Sequence, residues 1–329
     1  MSELLEPILE RQGDREPELG IVMPIRNSQS RIVAAVRSVL EQRDCVADIL
    51  ISDDQSTDRT LAGARHAIEG WRGPHRVRLF RTTRRLAIDH LPTLVAASSQ
   101  AFLVQAHGDD EQLPGRAATQ RDVRRHSGAS LVSCVAFQVR GERVRREILP
   151  PAVSEGFLAP AQLAGGTPIH MLSGSRLALD RRLYDAFPPL DSQYLSIGHD
   201  MLKSWRALLL GGIWIGAEPL LAVHWHDQQW SNRLWDTRRP ESTLFASMLH
   251  RLAMLRALQR DIAHVEAAGT VPAERLAEVR RLSQNVWHQA VDRLLDAREV
   301  LHRQGLEPAW TDLDDLAELK RRAQPQPRG

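Results

Sequence analysis

The chain has 329 residues, 43% hydrophobic and 26% charged, with a formal net charge of +2. That is the make-up of a soluble globular protein with room for one large domain or two ordinary ones, and the near-zero balance excludes a globally basic nucleic-acid binder. Only two of the 43 basic residues are lysines, Lys203 and Lys320; genomic base composition accounts for such a bias, and a phosphate-binding role for the arginines needs local support.

Residues 1–18 are acidic, lack the basic-then-apolar pattern of a signal peptide, and read as an N-terminal arm of a cytoplasmic protein. Residues 20–25 (GIVMPI) form a short apolar run stopped by Pro24 and Asn27. Residues 30–42 place Ile32, Val36, Val39 and Leu40 on one helical face. Residues 47–52 (ADILIS) give a second strand, halted by Asp53 and Asp54, after which Ser56 is placed to cap a helix starting near Thr57. A strand over 77–81, a helix over 90–99, a strand over 101–106, a helix over 115–126 and a strand over 130–139 follow. This alternation predicts an α/β fold with a mostly parallel sheet flanked by helices on both faces. Ligands bind such sheets beyond the carboxyl ends of the strands, where Arg26, Asn27, Asp53, Asp54, Asp109 and Asp110 fall.

Beyond residue 150 the pattern loosens. The apolar stretch 207–217 is broken by glycines and followed by Glu218 and Pro219, too short to span a bilayer, so membrane contact would be peripheral. Residues 242–267 and 273–304 are amphipathic patterns separated by a helix stop at Gly269 and a start at Pro272, which predicts a C-terminal α-helical hairpin. Packing on the main domain is its expected role, with a homodimer interface as the rival. The boundaries read as arm 1–18, main domain 19–235, hairpin 236–307 and a partly disordered tail 308–329. Cys45 and Cys134 match no metal-ligand spacing.

Three motifs, each at a strand end, occur in order: IVMPIRNSQSRIVAAVRSVLEQ, ILISDDQSTDRTL and AHGDDEQLPGR. Together they resemble the family 2 glycosyltransferases, with Pro-x-x-Asn after the first strand, Asp-Asp-x-Ser-Thr-Asp after the second and an Asp-x-Asp-type motif after the fourth. GHDMLKSWRALLLGG fits the family's later acidic motif with Asp200, Arg206 and Gly211. The resemblance spans about residues 19–230 and implies a GT-A fold and transfer of a sugar from a nucleotide-diphosphate donor, a UDP-sugar first, to an acceptor hydroxyl. A glycan or lipid-linked acceptor in polysaccharide or cell-envelope synthesis is the default expectation. It further implies that Asp109 binds Mn²⁺ or Mg²⁺, with Asp110 beside it. Asp53, Asp54, Pro24, Arg26 and Asn27 would line the nucleotide pocket, and Asp200 would be the base of a one-step inverting transfer.

The chemistry agrees with these roles. A departing diphosphate builds negative charge that a divalent cation can stabilise, and hard carboxylate oxygens suit Mn²⁺ or Mg²⁺. A single carboxylate opposite the leaving group can take the acceptor's proton. His107 stands where the motif has its first Asp, as a nitrogen donor to the metal or a tolerated substitute, and His199 stands where a Glu is common. In VHWHDQQWSNR, His224 and His226 alternate along an extended segment, and His226 is the one expected to approach the metal or diphosphate. Two rival readings remain. A nucleotidyltransferase would want a Gly-rich phosphate loop, and PIRNSQSR has no glycine. A catalytically degenerate binding or scaffold protein would release no nucleotide when given nucleotide sugars.

Overall fold

The computed structural model describes residues 3–165, 169–190, 199–225 and 240–305. Its centre is four parallel strands, β2 (Leu19–Ile25), β3 (Ala47–Asp53), β4 (Arg76–Thr82) and β5 (Phe102–Gln105), in the order β4-β3-β2-β5. β3 is buried at every position and β2 at all but Pro24, as expected for parallel strands covered on both faces. The helices α1 (Ile32–Leu40), α2 (Thr60–Glu69), α3 (His90–Ala97) and α4 (Arg116–Ser127) connect and cover them. The face of α1 is the predicted one, with Ile32, Val36, Val39 and Leu40 buried.

Chain order reverses between β2 and β5, which makes their carboxyl ends the switch-point crevice of the sheet. Pro24 opens it. The β2–β5 ladder runs to Val22↔Gln105, and Ala106 donates to the Val22 carbonyl at 2.9 Å. The next donor on that edge would be residue 24, and proline has no N–H. The ladder ends there and the two strands part.

Outward from β5 the sheet becomes mixed rather than continuing parallel. β10 (Ala178–Asp180) lies antiparallel between β5 and β7 (Leu131–Arg140), so the predicted fifth strand is one place removed from β5. β11 (Ile213–His224) runs parallel to β7, and the short β6 (Glu111–Gln112) pairs antiparallel with β11. β8 (Arg143–Arg146) and β9 (Gly156–Phe157) attach to β7 and β11. At the opposite edge, β1 (Leu5–Arg11) pairs antiparallel with β4. No element is predicted there, because LEPILER carries only one fully buried residue, Leu5. Short helices α5 (Pro160–Ala164) and α6 (Arg182–Asp185) precede α7 (His199–Leu209).

The C-terminal helices α8 (Pro240–Ala267) and α9 (Ala273–Arg303) form the expected hairpin. Their apolar stripes, including Leu258, Val265, Val286 and Leu294, share one core with Trp205 and Leu202 of α7. The link is also ionic. Arg206 of α7 and Asp261 of α8 are 3% and 2% exposed and meet through two contacts of 2.6 and 2.9 Å. Arg206 also donates to the Leu183 and Pro188 carbonyls and lies over the Phe187 ring. Removing one partner of such a pair strands a buried charge, so Asp261→Ala is expected to lower stability by about 3–5 kcal/mol in chemical denaturation. A change within 1 kcal/mol would refute this. Among the described residues no helix is long and apolar enough to cross a membrane.

Candidate active site

The loops after β2 and β3 brace one another. The Asn27 N–H donates to Ser56 Oγ at 2.9 Å, and Asn27 Oδ1 accepts from the Thr57 N–H at 3.0 Å. Arg26 Nη1 donates to the Asp54 carbonyl at 2.7 Å. Asp53 Oδ2 accepts from the Ser56 N–H at 3.0 Å. Asn27 and Gln55 carry φ of 44° and 55°, a left-handed backbone that asparagine tolerates well. The Ser56 hydroxyl accepts from Asn27 and does not cap α2, which starts four residues further on. The helix begins at Thr60 instead, where Asp58 Oδ1 accepts from the Thr60 N–H at 3.0 Å.

Asp53 and Asp54 are both buried. Asp54 organises the next loop, its Oδ1 accepting from the Leu86 N–H at 2.6 Å and its Oδ2 from the Ala87 N–H at 2.9 Å. Asp53 Oδ1 is buried with no hydrogen-bond partner. A lone acceptor of that kind is costly unless something donates to it.

Beneath these residues, His90 of α3 is 4% exposed, with Nε2 2.9 Å from Ser52 Oγ. Burial pulls its imidazole down to about 4, against the opposing pull of Asp54. The unfolded chain therefore takes up a proton below about pH 6.5 that the folded chain refuses until about pH 4. Stability is expected to fall as pH drops through that window, by up to about 3 kcal/mol. Denaturation midpoints at pH 7 and pH 5, compared with those of His90→Gln, check this; an equal acid limb in the variant would refute it.

The loop 107–110 enters from the other side of the crevice. Gly108 lets it close on the β2 loop: a Cβ there would stand 3.0 Å from Ser28 Oγ and 3.1 Å from Ile25 Cγ2. His107, Asp109 and Asp110 bring ligand atoms within 4.8 Å of one another. Asp110 is 3% exposed and accepts from the His224 N–H at 3.1 Å. Burial, and then the charge of Asp109, push its carboxyl above the usual range. Two adjacent carboxylates in that state fit a divalent cation, and oxygen donors suit Mn²⁺ or Mg²⁺. His224 Nδ1 lies 2.8 Å from Arg31 Nη1 and its Nε2 2.9 Å from Glu111 Oε1. His226, the histidine favoured from sequence, lies outside the described residues, as does the tail.

Asp200 sits in the first turn of α7, 34% exposed. Its Oδ2 accepts from the Gly174 N–H at 2.8 Å and its Oδ1 meets Lys203 Nζ at 2.8 Å. Lys203 continues to Gln105 Oε1 at 2.8 Å, and Gln105 Nε2 lies 3.0 Å from His107 Nε2. A Cβ on Gly174 would fall 2.4 Å from Gln105 Nε2 and 2.9 Å from His107 Nε2. The structure thus joins Asp200 to His107, through Lys203, Gln105 and Gly174, none of which sequence reasoning singled out for the site. Lys203 had a signal: it is one of two lysines among 43 basic residues and stands three positions from Asp200.

A Rossmann-like sheet with acidic loops gathered at its switch point, and helices behind, is a GT-A glycosyltransferase architecture. The sequence model of Glycosyl transferase family 2 matches residues 20–187, and the chain belongs to that family. A relative in Bacillus subtilis (strain 168), named "Putative glycosyltransferase EpsE", is 27% identical over 158 residues, 46% of this chain and 53% of that protein. The chain thus spans about half the length of that curated relative. Among solved structures, S. aureus TarS 1–349 in complex with UDP-GlcNAc aligns with a TM-score of 0.56 at 14% identity, covering 88% of this chain and 92% of TarS 1–349. Mannosyltransferase PcManGT from Pyrobaculum calidifontis, in complex with GDP-Man and Mn²⁺, aligns with a TM-score of 0.53 at 15% identity, covering 96% and 83%. At these identities the likeness is one of fold.

Proposed function

We propose that this glycosyltransferase moves a sugar from a nucleotide-diphosphate donor, a UDP-sugar first, to an acceptor hydroxyl with inversion at the anomeric carbon. The observation that carries the reading is the meeting of the 107–110 acidic loop with the β2 and β3 loops where β2 and β5 part. The buried acceptor Asp53 Oδ1 suits a donor group of the base or ribose, and Asp54 holds the loop that would cover it. Arg26 and Asn27 act by bracing the loop after β3 that carries Asp54, and Pro24 by keeping the crevice open. Asp109, with Asp110 beside it, would hold Mn²⁺ or Mg²⁺; when bound, the ion supplies charge stabilisation to the leaving diphosphate.

Asp200 takes the proton of the attacking hydroxyl. The Gly174 N–H and Lys203 fix the orientation of its carboxylate, and partial exposure leaves it reachable by an acceptor. One base and one displacement give inversion. Hexosyl or N-acetylhexosaminyl transfer onto a glycan or lipid-linked acceptor, in the cytoplasm or at the inner face of the membrane, is the setting we assign. The apolar stripes of α8 and α9 are used within the chain, so a homodimer through these helices would need their outer faces.

The test is a panel of UDP- and GDP-sugars with Mn²⁺ or Mg²⁺. A metal-dependent rise in melting temperature with UDP and release of free nucleotide are expected. No binding and no release across the panel would overturn the enzyme reading in favour of a binding protein.

A further inference from the structure

The path from Asp200 to His107 dictates chemistry as well as position. A lysine ammonium has donors only, so the atom of Gln105 that faces Lys203 Nζ at 2.8 Å is the amide oxygen. The amide nitrogen is thereby turned to His107 Nε2, 3.0 Å away. That nitrogen also only donates, so Nε2 must accept and the ring hydrogen sits on Nδ1. One ring nitrogen then spends its lone pair on Gln105 and the other carries a hydrogen. A histidine that binds a metal has the reverse arrangement, donating its outer N–H to a carboxylate or carbonyl.

We propose that Lys203 is a positioning residue that, through Gln105, holds His107 as an N–H donor beside Asp109 and Asp110 instead of a third metal ligand. The inference deepens the function assigned above and rests on it for the identity of the ligand. The cluster then offers two carboxylates and one hydrogen-bond donor, and the ring N–H suits a carboxylate or diphosphate oxygen. Lys203 is 1% exposed, an expensive place for an ammonium without dedicated partners. Burial opposes its charge, but Asp200 and then Tyr184 more than offset this and leave it above its usual range. The bare Cα of Gly174 leaves room for the Gln105–His107 contact and so preserves the path.

Long-range ¹H–¹⁵N correlation spectra of the full chain, with His107 assigned from His107→Asn, read the tautomer directly. The expected wild-type form carries hydrogen on Nδ1. In Gln105→Glu the carboxylate accepts from both Lys203 and His107, so the hydrogen should move to Nε2 and free Nδ1 for a cation. Mn²⁺ affinity, measured by electron paramagnetic resonance with the metal alone, should then rise about tenfold. His107→Ala should leave wild-type Mn²⁺ affinity within about twofold, a readout that survives if Gln105→Glu fails to fold. A wild-type Nε2–H tautomer, or a tenfold loss of Mn²⁺ affinity in His107→Ala, overturns the proposal. An Nδ1–H tautomer in a protein that binds no nucleotide sugar would sink the assigned function and leave the hydrogen-bond assignment standing.

Discussion

Asp200→Asn is expected to cut sugar transfer by about 10²–10⁴-fold, the usual contribution of a positioned general base. Both oxygens of Asp200 accept, one from the Gly174 N–H and one from Lys203. Asparagine keeps the shape but has a single acceptor oxygen, so it loses the base and turns an amide N–H₂ toward a donor. Lys203, 1% exposed, also loses its counter-charge. A melting curve must therefore accompany the kinetics: with UDP and Mn²⁺ the folded variant should still be stabilised, because the proposed donor pocket draws on other loops. Retained full transfer would remove Asp200 as the base and leave the fold and donor site untouched.

Asp109→Ala is expected to lower turnover by about 10²–10³-fold, the scale of losing one charge-stabilising group at a leaving oxygen. The loss should appear equally in metal binding. Asp110 alone, 3% exposed and already accepting from the His224 N–H, is a poor substitute. Removing Asp109 also relieves the repulsion on Asp110. Titration calorimetry with Mn²⁺ and UDP separates the cases. A variant that binds Mn²⁺ as the wild type does, or retains metal-dependent transfer, would refute the assignment.

The parallel centre of the fold was legible because β2, β3 and β5 are apolar runs ended by a polar or turn residue, as at Ile25–Arg26 and Ser52–Asp53, while β4 alternates apolar and charged residues. Long elements with clear periodicity, α1 and α9 among them, were equally readable. β1 was not, because an edge strand paired only with β4 and fully buried only at Leu5 mixes charged and apolar residues. β10 has three residues, too few for a pattern, yet it breaks the parallel run of the sheet. At the site, the acidic residues were legible as carboxylates that need a partner. What joins them was not: Gln105 reads as the end of a strand, Gly174 as a turn, and Ser56 as a helix cap until Asn27 is seen to claim its hydroxyl. Contacts between residues 98 apart, as between Lys203 and Gln105, leave no local trace.

The Arg206–Asp261 pair has a consequence for how the chain comes apart. α7 carries Asp200 and Lys203 toward the crevice and Arg206 toward α8, within two turns of one helix. A fragment ending before Pro240 would remove the carboxylate that neutralises Arg206 and uncover the apolar face of α7 that packs on the C-terminal helices. The sheet domain and the C-terminal helices are therefore expected to melt as one cooperative unit, and the pose of Asp200, the proposed base, depends on a contact on the far side of the helix that bears it.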